Sequence, residues 1–388
     1  MLRVHKIKLQ PNKTQSVYFA KACGVARHAY NWALSEWSRQ YEAGLKPSPF
    51  ALSRQYNAIK PVDFPWSMEV ANCVPKQAIK NVGVAFKNFF RRINQDKKRK
   101  GVSYPKFKKK GHRDSFRADN GPRSKGISAV PVDGKRVKLP IIGWIRMREE
   151  LRFQGCIQST TVSKAADGWY IAILVDTDTL LERTASKGVV GVDMGLIFLA
   201  VLSTGEVITG PKPHRALDAR LRMLNRSLSR KKKGSANFRK AKAKLSKLHK
   251  RIADIRKDAL HKLSHRLATE FNVIGIEDLC VKGMARNKRL ARSVADAGMG
   301  GLRSMIEYKA AMTGAEVVHV DRWYPSSKTC SCCGQIHNEI VLGVKTMDCD
   351  CGLVMDRDLN AAINIANYAA SSAVTARGEP GSDVALAA

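Results

Sequence analysis

The stretch from Lys328 to Ile365, KTCSCCGQIHNEIVLGVKTMDCDCGLVMDRDLNAAINI, constrains this chain more than any other. It holds five of the nine cysteines and runs directly into an Asp-Arg-Asp-x-Asn-Ala-Ala segment. Cys330-x-x-Cys333-Gly is half of a thiolate knuckle: a tight turn aims two sulfurs at one tetrahedral metal, and the glycine admits the bend. Cys349-x-Cys351-Gly supplies the second half, at the separation of a zinc ribbon. Four protein ligands close such a site, so a single Zn2+ held there is structural. Cys332 and His337 stand nearby as spare candidate ligands. Cys23, Cys73, Cys156 and Cys280 are scattered singly among apolar or helical neighbours, and read as reduced core thiols of a cytosolic protein.

A second constellation is acidic. Asp193 lies on the apolar strand GVVGVDMG, Glu277 lies at the end of another, FNVIGIEDL, and Asp356 and Asp358 precede a helix. Each alone could be a turn residue or a cap, and Asp358 ahead of Leu359-Asn360 makes a good N-cap. Together, on strands of one α/β unit, they suit a divalent-metal site. Phosphodiester hydrolysis needs an activated water and a neutralised leaving oxygen, and two Mg2+ ions held by carboxylates about 3.5–4 Å apart supply both.

Those acids lie in a chain with 68 Lys and Arg against 33 Asp and Glu, a formal charge of +35 over 388 residues. An excess of that size points to a polyanionic partner, nucleic acid first. Carboxylates repel phosphate, so the basic surroundings are what would bring a phosphodiester to them. Two regions concentrate the charge. Residues 96–117, DKKRKGVSYPKFKKKGHRDSFR, set Tyr104, Phe107 and Phe116 among basic residues, as single-strand and RNA surfaces do. The candidates there are Lys106, Lys108, Lys109, Lys110 and Arg113. Lys231, Lys232, Lys233, Arg239 and Lys240 form a second group in the helical region 220–262. No stretch reaches 18 uncharged apolar residues, and the opening MLRVHKIKLQ lacks an apolar signal core, so a membrane partner is not expected.

Periodicity places these features. Residues 2–9 alternate basic with apolar (Val4, Ile7, Leu9) as a strand, which Pro11 ends. Phe19, Cys23, Ala26, Tyr30 and Ala33 then step as a helix, and a second helical segment spans about 75–92, where Phe86, Phe89 and Phe90 are expected to pack in a core. Short alternating runs over 128–177 predict a small β-barrel. Strands are expected at 188–209, at FNVIGIEDL and at EVVHVDRWY. From Phe238 a seven-residue apolar repeat (Ala241, Leu245, Leu248, Ile252, Ile255) marks a long helix whose phase slips at Leu260, Leu263 and Leu267. His261 and His265 lie one turn apart, a spacing better suited to phosphate contact or plain exposure than to a metal with no third ligand. A glycine break at Gly298, Gly300 and Gly301 interrupts a helical stretch, a last helix runs from Asn360 to about Ala370, and the small polar tail from Ser371 is expected to be disordered.

Four of these segments, GVDMGLIFLA, VIGIEDL, YPSSKTCSCCG and CGLVMDRDLNAAINI, occur in the order found in the TnpB, or OrfB-type, proteins of bacterial insertion sequences, and the sequence resembles that family. The PNKTQ turn, CGVARHAYNWAL, AFKNFFRR and YPKFKKKGHRDSFR extend the likeness through the amino-terminal half. The resemblance implies a multidomain α/β and α+β architecture. A wedge β-barrel would use residues 1–10 and 96–180, with a helical recognition domain inserted at 11–95. A linker at 181–187 would lead to a RuvC-like, RNase H-like nuclease domain at 188–325 and 353–370, interrupted by a zinc ribbon at 326–352 and followed by a tail at 371–388.

The implied activity is RNA-guided DNA cleavage next to a short adjacent motif, with relationship to type V CRISPR effectors. Asp193, Glu277 and Asp358 would be the RuvC acids that hold two Mg2+, and Asp356 a neighbour that sequence hardly separates from Asp358. The implied partners are a guide RNA from the transposon end and double-stranded target DNA, bound by a monomer in the bacterial cytoplasm, at the nucleoid. A cleavage-deficient guided repressor and a transposase or other DNA-binding protein of the mobile element are the rival functions. One departure bears on the zinc: the family's second knuckle half is usually Cys-x-x-Cys-Gly, whereas here Asp348 stands at the first of those cysteines and Cys349 one place later. Cys332 or His337 could therefore take the place of Cys349.

Overall fold

The first strand, β1 (Leu2–Gln10), buries Arg3, His5, Ile7 and Leu9 on one face, so Val4 points to solvent and the apolar pattern is read one residue out of phase at its start. Arg3 sits in the buried face because its guanidinium lies over the Phe153 ring, 5.5 Å from the centroid. The computed structural model describes residues 1–95, 103–122, 124, 126–177, 187–340 and 343–376. Residues 181–186 of the linker expected at 181–187, the start of the basic stretch at 96–102 and residues 377–388 of the expected tail lie outside them. The chain divides into two units, Met1–Thr179 and Leu180–Ala388.

In the first unit β1 is followed by three helices. Asn12 and Gln15 form a reciprocal capping box at the start of α1 (Lys13–Glu42). Ser48 caps α2 (Pro49–Asp63), which has Pro49 in its first turn. The third, α3 (Cys73–Gln95), carries Phe86, whose ring stacks on Trp37 at 4.7 Å; Phe89 packs against the same cluster and Phe90 is partly exposed. The strands β2 (Ser115–Arg117), β3 (Val132–Asp133), β4 (Arg136–Leu139), β5 (Gly143–Met147), β6 (Cys156–Ala165) and β7 (Gly168–Asp176) join β1 in one antiparallel sheet, ordered β2-β6-β7-β1-β5-β4-β3. The sheet curls on itself: just ahead of β3, Ala129 N–H donates to the Ile157 carbonyl of β6 at 2.7 Å. One core joins sheet and helices through Ile7, Phe19, Leu34, Tyr56, Ile79 and Ile171. Phe116 belongs to this core, packed on Phe19, and is not among the aromatics available at the surface; Tyr104 and Phe107 are.

The second unit is built on the strands β8 (Lys187–Asp193), β9 (Ala200–Leu202) and β10 (Val207–Ile208). Next come α4 (Pro213–Ala216), α5 (Asp218–Ser229), the 35-residue α6 (Ala236–Glu270) and β11 (Phe271–Glu277). There follow α7 (Val281–Met284), α8 (Ala291–Ala297), α9 (Met299–Thr313), β12 (Glu316–Val320), the hairpin β13 (Thr346–Asp348) and β14 (Val354–Asp356), and α10 (Arg357–Ala376). The sheet order is β10-β9-β8-β11-β12, with β8, β11 and β12 parallel. The slip in the apolar phase of α6 has a physical cause: the helix changes partners. Leu248 and Ile252 pack on Leu221 of α5, whereas Leu260, Leu263 and Leu267 join the sheet and α9.

Alternation along the parallel strands decides where function can sit. Val190, Val192, Ile274 and Ile276 face α6 and α9. Val189 and Val273 face the other way, against Ala369 and Ala373 of α10. Gly191, Asp193, Gly275 and Glu277 share that second parity and lie on the α10 side. Two boundaries differ from expectation. The β13–β14 hairpin reaches Asp356, past residue 352, and α10 runs on to Ala376 with Ala373 buried, so the disorder expected from Ser371 does not begin there. Burial of small alanines against Val273 stabilises this last turn, a contribution that composition alone does not reveal.

Candidate active site and metal centre

Gly191 of β8 and Gly275 of β11 are direct cross-strand partners, and α10 lies in the trough they leave. A Cβ added at Gly191 would stand 2.0 Å from the Ala362 carbonyl oxygen and 2.5 Å from the Ala366 nitrogen; one at Gly275 would stand 2.8 Å from the Ile365 carbonyl oxygen. The helix backbone therefore rests on the strands themselves. Two residues beyond each glycine come Asp193 and Glu277, the last residues of their strands, and at the same end α10 begins with Arg357 and Asp358. The repeated pattern of glycine, any residue, acid in GVD and GIE is the signal that identifies this trough in the sequence.

The acids interact strongly. The Asp193 carboxyl is pushed up to about 8 from its ordinary 3.8, first by burial, then by the charges of Glu277 and Asp358; the Arg357 guanidinium opposes the shift and Asp356 adds to it. Ser326 Oγ–H donates to Glu277 Oε1 at 2.7 Å and fixes that carboxylate. Asp358 lies 3.8 Å from the Arg357 guanidinium. Asp356, not Asp358, caps the helix: its Oδ1 accepts from the backbone N–H of Asp358 at 2.9 Å and of Leu359 at 3.1 Å. The cap falls to Asp356 because the helix starts at Arg357, earlier than expected, and the Asp358 carboxylate, not spent on capping, acts on Asp193 instead.

The four thiols of Cys330, Cys333, Cys349 and Cys351 all lie within 4.8 Å of one another, and among the described residues no other set of three or more potential ligands does so. The carboxylates do not close to that extent. Sγ separations of 3.6 Å for Cys330–Cys351 and for Cys333–Cys349 approach the edge of about 3.8 Å that a tetrahedron with Zn–S bonds of about 2.3 Å requires. The electrostatics also ask for a cation. Burial raises the Cys330 thiol, but the backbone N–H groups of Cys333 and Cys332 and the neighbouring thiols outweigh it and bring it down to about 7. The backbone N–H of Cys351 favours the Cys349 thiolate, yet burial and the other thiols push it up to about 12. Cys332 is exposed and outside the group, and His337 Nδ1 is 2.9 Å from Glu339 Oε1.

Asn360 and Asn364 of α10, both buried, fasten this knuckle to the acid site, a role that nothing in their sequence context signals. Asn360 accepts from Ser331 N–H at 2.9 Å and donates to the Thr329 carbonyl at 2.7 Å; Asn364 donates to the Ser326 and Thr329 carbonyls at 2.8 and 2.6 Å.

The basic candidates are surface residues. Lys106, Lys109, Lys110 and Arg113 are exposed, as are Lys232, Lys233, Arg239 and Lys240, while Lys231 is half-buried between α5 and α6. Lys108 holds its ammonium over the Tyr30 ring at 4.2 Å. His261 faces the Tyr308 hydroxyl across 3.5 Å. Of the single cysteines, Cys23 and Cys73 are buried, with burial pushing their thiols up to about 12 and about 11. Cys156 is half-buried and Cys280 is exposed, so the latter is not a core thiol: it follows the end of β11, where the chain leaves the sheet.

Comparison with known proteins adds the following. A family model described as "Probable transposase", OrfB_IS605, matches residues 171–288; a Cas12f1-like TNB domain matches 300–365; and an OrfB_IS605 helix-turn-helix domain matches 1–46. A Streptomyces pristinaespiralis protein named "Putative RNA-guided DNA endonuclease" is 38% identical, over 97% of this chain and 91% of its own length. An Escherichia coli K12 protein, "Putative RNA-guided DNA endonuclease InsQ", is 32% identical over 97% and 94%. Among solved structures, a cryo-EM structure of a Cas12f1–sgRNA–target DNA complex shares the fold at a TM-score of 0.58 and 15% identity, over 92% of this chain and 83% of that one.

Proposed function

The chain belongs to the TnpB family of OrfB-type insertion-sequence proteins, and from that premise we propose that it is an RNA-guided DNA endonuclease with Asp193, Glu277 and Asp358 as its catalytic acids. The observation that carries the assignment is the convergence of Asp193 and Glu277, the last residues of adjacent parallel strands, with Asp358 in the first turn of α10; burial first, and then the charges of Glu277 and Asp358, push the Asp193 carboxyl up to about 8. An oxygen-only donor set short of positive charge fits hard divalent cations such as Mg2+. Two such ions, when bound, would supply an activated water and neutralise the leaving oxygen. The protein's own contributions are positional. The trough at Gly191 and Gly275 seats α10, Asp356 fixes where that helix begins, and Ser326 orients Glu277.

Around this centre we assign residues 188–325 and, with the boundaries moved by the β13–β14 hairpin and by α10, 357–376 to a RuvC-like, RNase H-like nuclease domain. The Cys330, Cys333, Cys349 and Cys351 group holds one structural Zn2+ in a zinc ribbon, docked on α10 by Asn360 and Asn364. The curled sheet of β1 to β7 corresponds to the wedge β-barrel, and α1 to α3 to the helical recognition domain. Lys106, Lys108, Lys109, Lys110, Arg113, Lys231, Lys232, Lys233, Arg239 and Lys240 neutralise phosphates of a guide RNA from the transposon end and of the target DNA. In other guided nucleases the guide reads sequence by base pairing, which leaves the protein to recognise backbone shape and a short adjacent motif. We assign the working species as a monomer. No helix among the described residues is long and apolar enough to cross a membrane.

The test is cleavage of a guide-matched plasmid in Mg2+, beside a gel shift on the same preparation. Asp193→Ala, Glu277→Ala and Asp358→Ala should each abolish cleavage and leave RNA and DNA binding nearly intact, because these acids hold metal and the lysines and arginines hold nucleic acid. Asp356→Ala should cost about 1 kcal/mol of helix capping and retain partial activity. Wild-type cutting by Asp193→Ala would refute the nuclease assignment, and a wild type that binds its target without cutting would indicate the guided repressor instead.

A further inference from the structure

Between the acid site and the zinc knuckle the chain passes through Asp321-Arg322-Trp323-Tyr324-Pro325-Ser326, and Trp323 is 84% exposed there. Its neighbours are pinned. Val320 pairs with Glu277 in the parallel ladder. The Arg322 guanidinium donates to the Asp278 carbonyl at 3.0 Å and carboxylate at 2.7 Å, and Arg303 holds the other oxygen of the same carboxylate. Asp321 Oδ1 accepts from Trp323 N–H at 2.8 Å. Tyr324 packs its ring on Tyr368 of α10, centroids 5.2 Å apart, and Ser326 donates to Glu277. The backbone carrying Trp323 is thus tied to Glu277, Asp278 and α10, while its indole makes no ring contact or hydrogen bond among the described residues. Trp323 therefore presents a large exposed ring from a backbone fixed to Glu277, Asp278 and α10, and amphipathic aromatic rings of this kind are enriched where partners bind.

We propose that Trp323 is a positioning residue on which one base of the DNA strand stacks as that strand enters the acid site. The inference rests on the nuclease reading above. The target sequence changes with the guide, so a protein contact next to the scissile bond has to be indifferent to base identity. Every base has a π-face, and stacking on an aromatic ring is sequence-tolerant in that way. The chain's charge of +35 supplies the attraction for phosphate, and the indole adds a fixed platform for the base. The placement of Trp323, three residues after the strand partner of Glu277 and three before the residue that orients it, makes that base adjacent to the bond being cut.

The experiment is single-turnover cleavage of a guide-matched target by wild type, Trp323→Ala and Trp323→Phe, with a series of targets made abasic one nucleotide at a time around the cut. Trp323→Ala should slow cleavage on the order of 10- to 100-fold with unchanged zinc content and Tm, and Trp323→Phe should recover most of the rate. One abasic position should slow the wild type comparably and add nothing in Trp323→Ala. A second readout does not need activity: in the Asp193→Ala background, short single-stranded DNA carrying 2-aminopurine at each position in turn should be quenched on binding, and the quench should vanish in Asp193→Ala/Trp323→Ala. Wild-type rates in Trp323→Ala, abasic and Trp323→Ala effects that multiply, or identical quenching with and without the indole would each overturn the proposal. So would a change of oligomeric state in Trp323→Ala with normal cleavage, which would assign the ring to a protein contact. If the wild type cuts no guided target, the nuclease reading fails by itself, and the quenching comparison still decides whether the indole stacks on a base.

Discussion

Substitution of Gly191 by alanine is the most direct test of how this site is held together. The added methyl would meet the Ala362 carbonyl oxygen at 2.0 Å, the Ala366 nitrogen at 2.5 Å and the Ala362 carbonyl carbon at 3.1 Å, all backbone atoms of α10. No rotamer change relieves such a clash, so the helix must lift by about 1 Å or more to restore ordinary contact distances. Overpacking of this kind costs roughly 1–3 kcal/mol, which in a unit of this size lowers Tm by about 2–12 °C. The functional loss should be larger. Lifting α10 carries Asp358 away from Asp193 and Glu277, and a misplacement of about 1 Å can cost on the order of 10²-fold in rate. Gly275→Ala meets a Cβ and a side-chain methyl as well as the Ile365 carbonyl oxygen, at 2.8–3.0 Å, and should be milder on both counts. Thermal unfolding and single-turnover cleavage on the two variants, with nucleic-acid binding as control, measure all of this. A Gly191→Ala protein with wild-type Tm and wild-type cleavage would show that α10 does not rest on the strand, and the account of the site would be wrong.

Metal analysis of reduced, chelator-free protein should return about one zinc per chain, and Cys330→Ser should lose it and destabilise the second unit. Nucleic-acid affinity should fall steeply with salt. Replacing Lys231, Lys232 and Lys233 together should flatten the log–log slope by up to about 2–3, at roughly 0.9 for each duplex-DNA phosphate that is no longer neutralised, and an unchanged slope would remove these lysines from the interface. The raised Asp193 carboxyl has a signed pH consequence. Its contribution to stability is complete below the unfolded value near 4 and is lost as pH rises through about 8, so metal-free protein should lose stability over that window. A divalent cation must displace that proton below pH 8, so the rise in Tm on adding Mg2+ should be larger at about pH 8.5 than at about pH 6.5; equal shifts would contradict the assignment.

Much of this was legible in the sequence, for identifiable reasons. Cysteine spacing fixes chain geometry over a few residues, so the two halves of the knuckle are visible without tertiary information. Acids that terminate apolar runs are equally visible, because a buried strand has no other use for them. What failed to show was what depends on partners. The helix α2, with only Leu52 and Tyr56 buried, offers too short a periodicity to detect and begins and nearly ends in proline. Arg3 and His5 occupy the buried face of β1 against the expected polarity, since Phe153 receives the guanidinium. Phe116 reads as a surface aromatic from its arginine neighbours and is a core residue, because β2 pairs with β6 and turns it toward Phe19.

The choice between Asp356 and Asp358 shows where local reading stops. Both precede the same helix, and either could cap it; the chemistry follows from whichever one does not. In the folded chain β14 pairs with β13 through Asp356, which holds that residue at the strand end and aims its carboxylate at the N–H groups of Asp358 and Leu359. A carboxylate engaged by two helix N–H groups is satisfied where it stands. Asp358, one residue inside the helix, is carried instead toward the end of the sheet, because Gly191 and Gly275 let α10 lie directly on β8 and β11. Its charge accordingly acts on Asp193 more strongly than that of Asp356. The proposed choice of Asp358 as third acid therefore rests on two glycines far apart in the chain, and on the absence of a side chain at each.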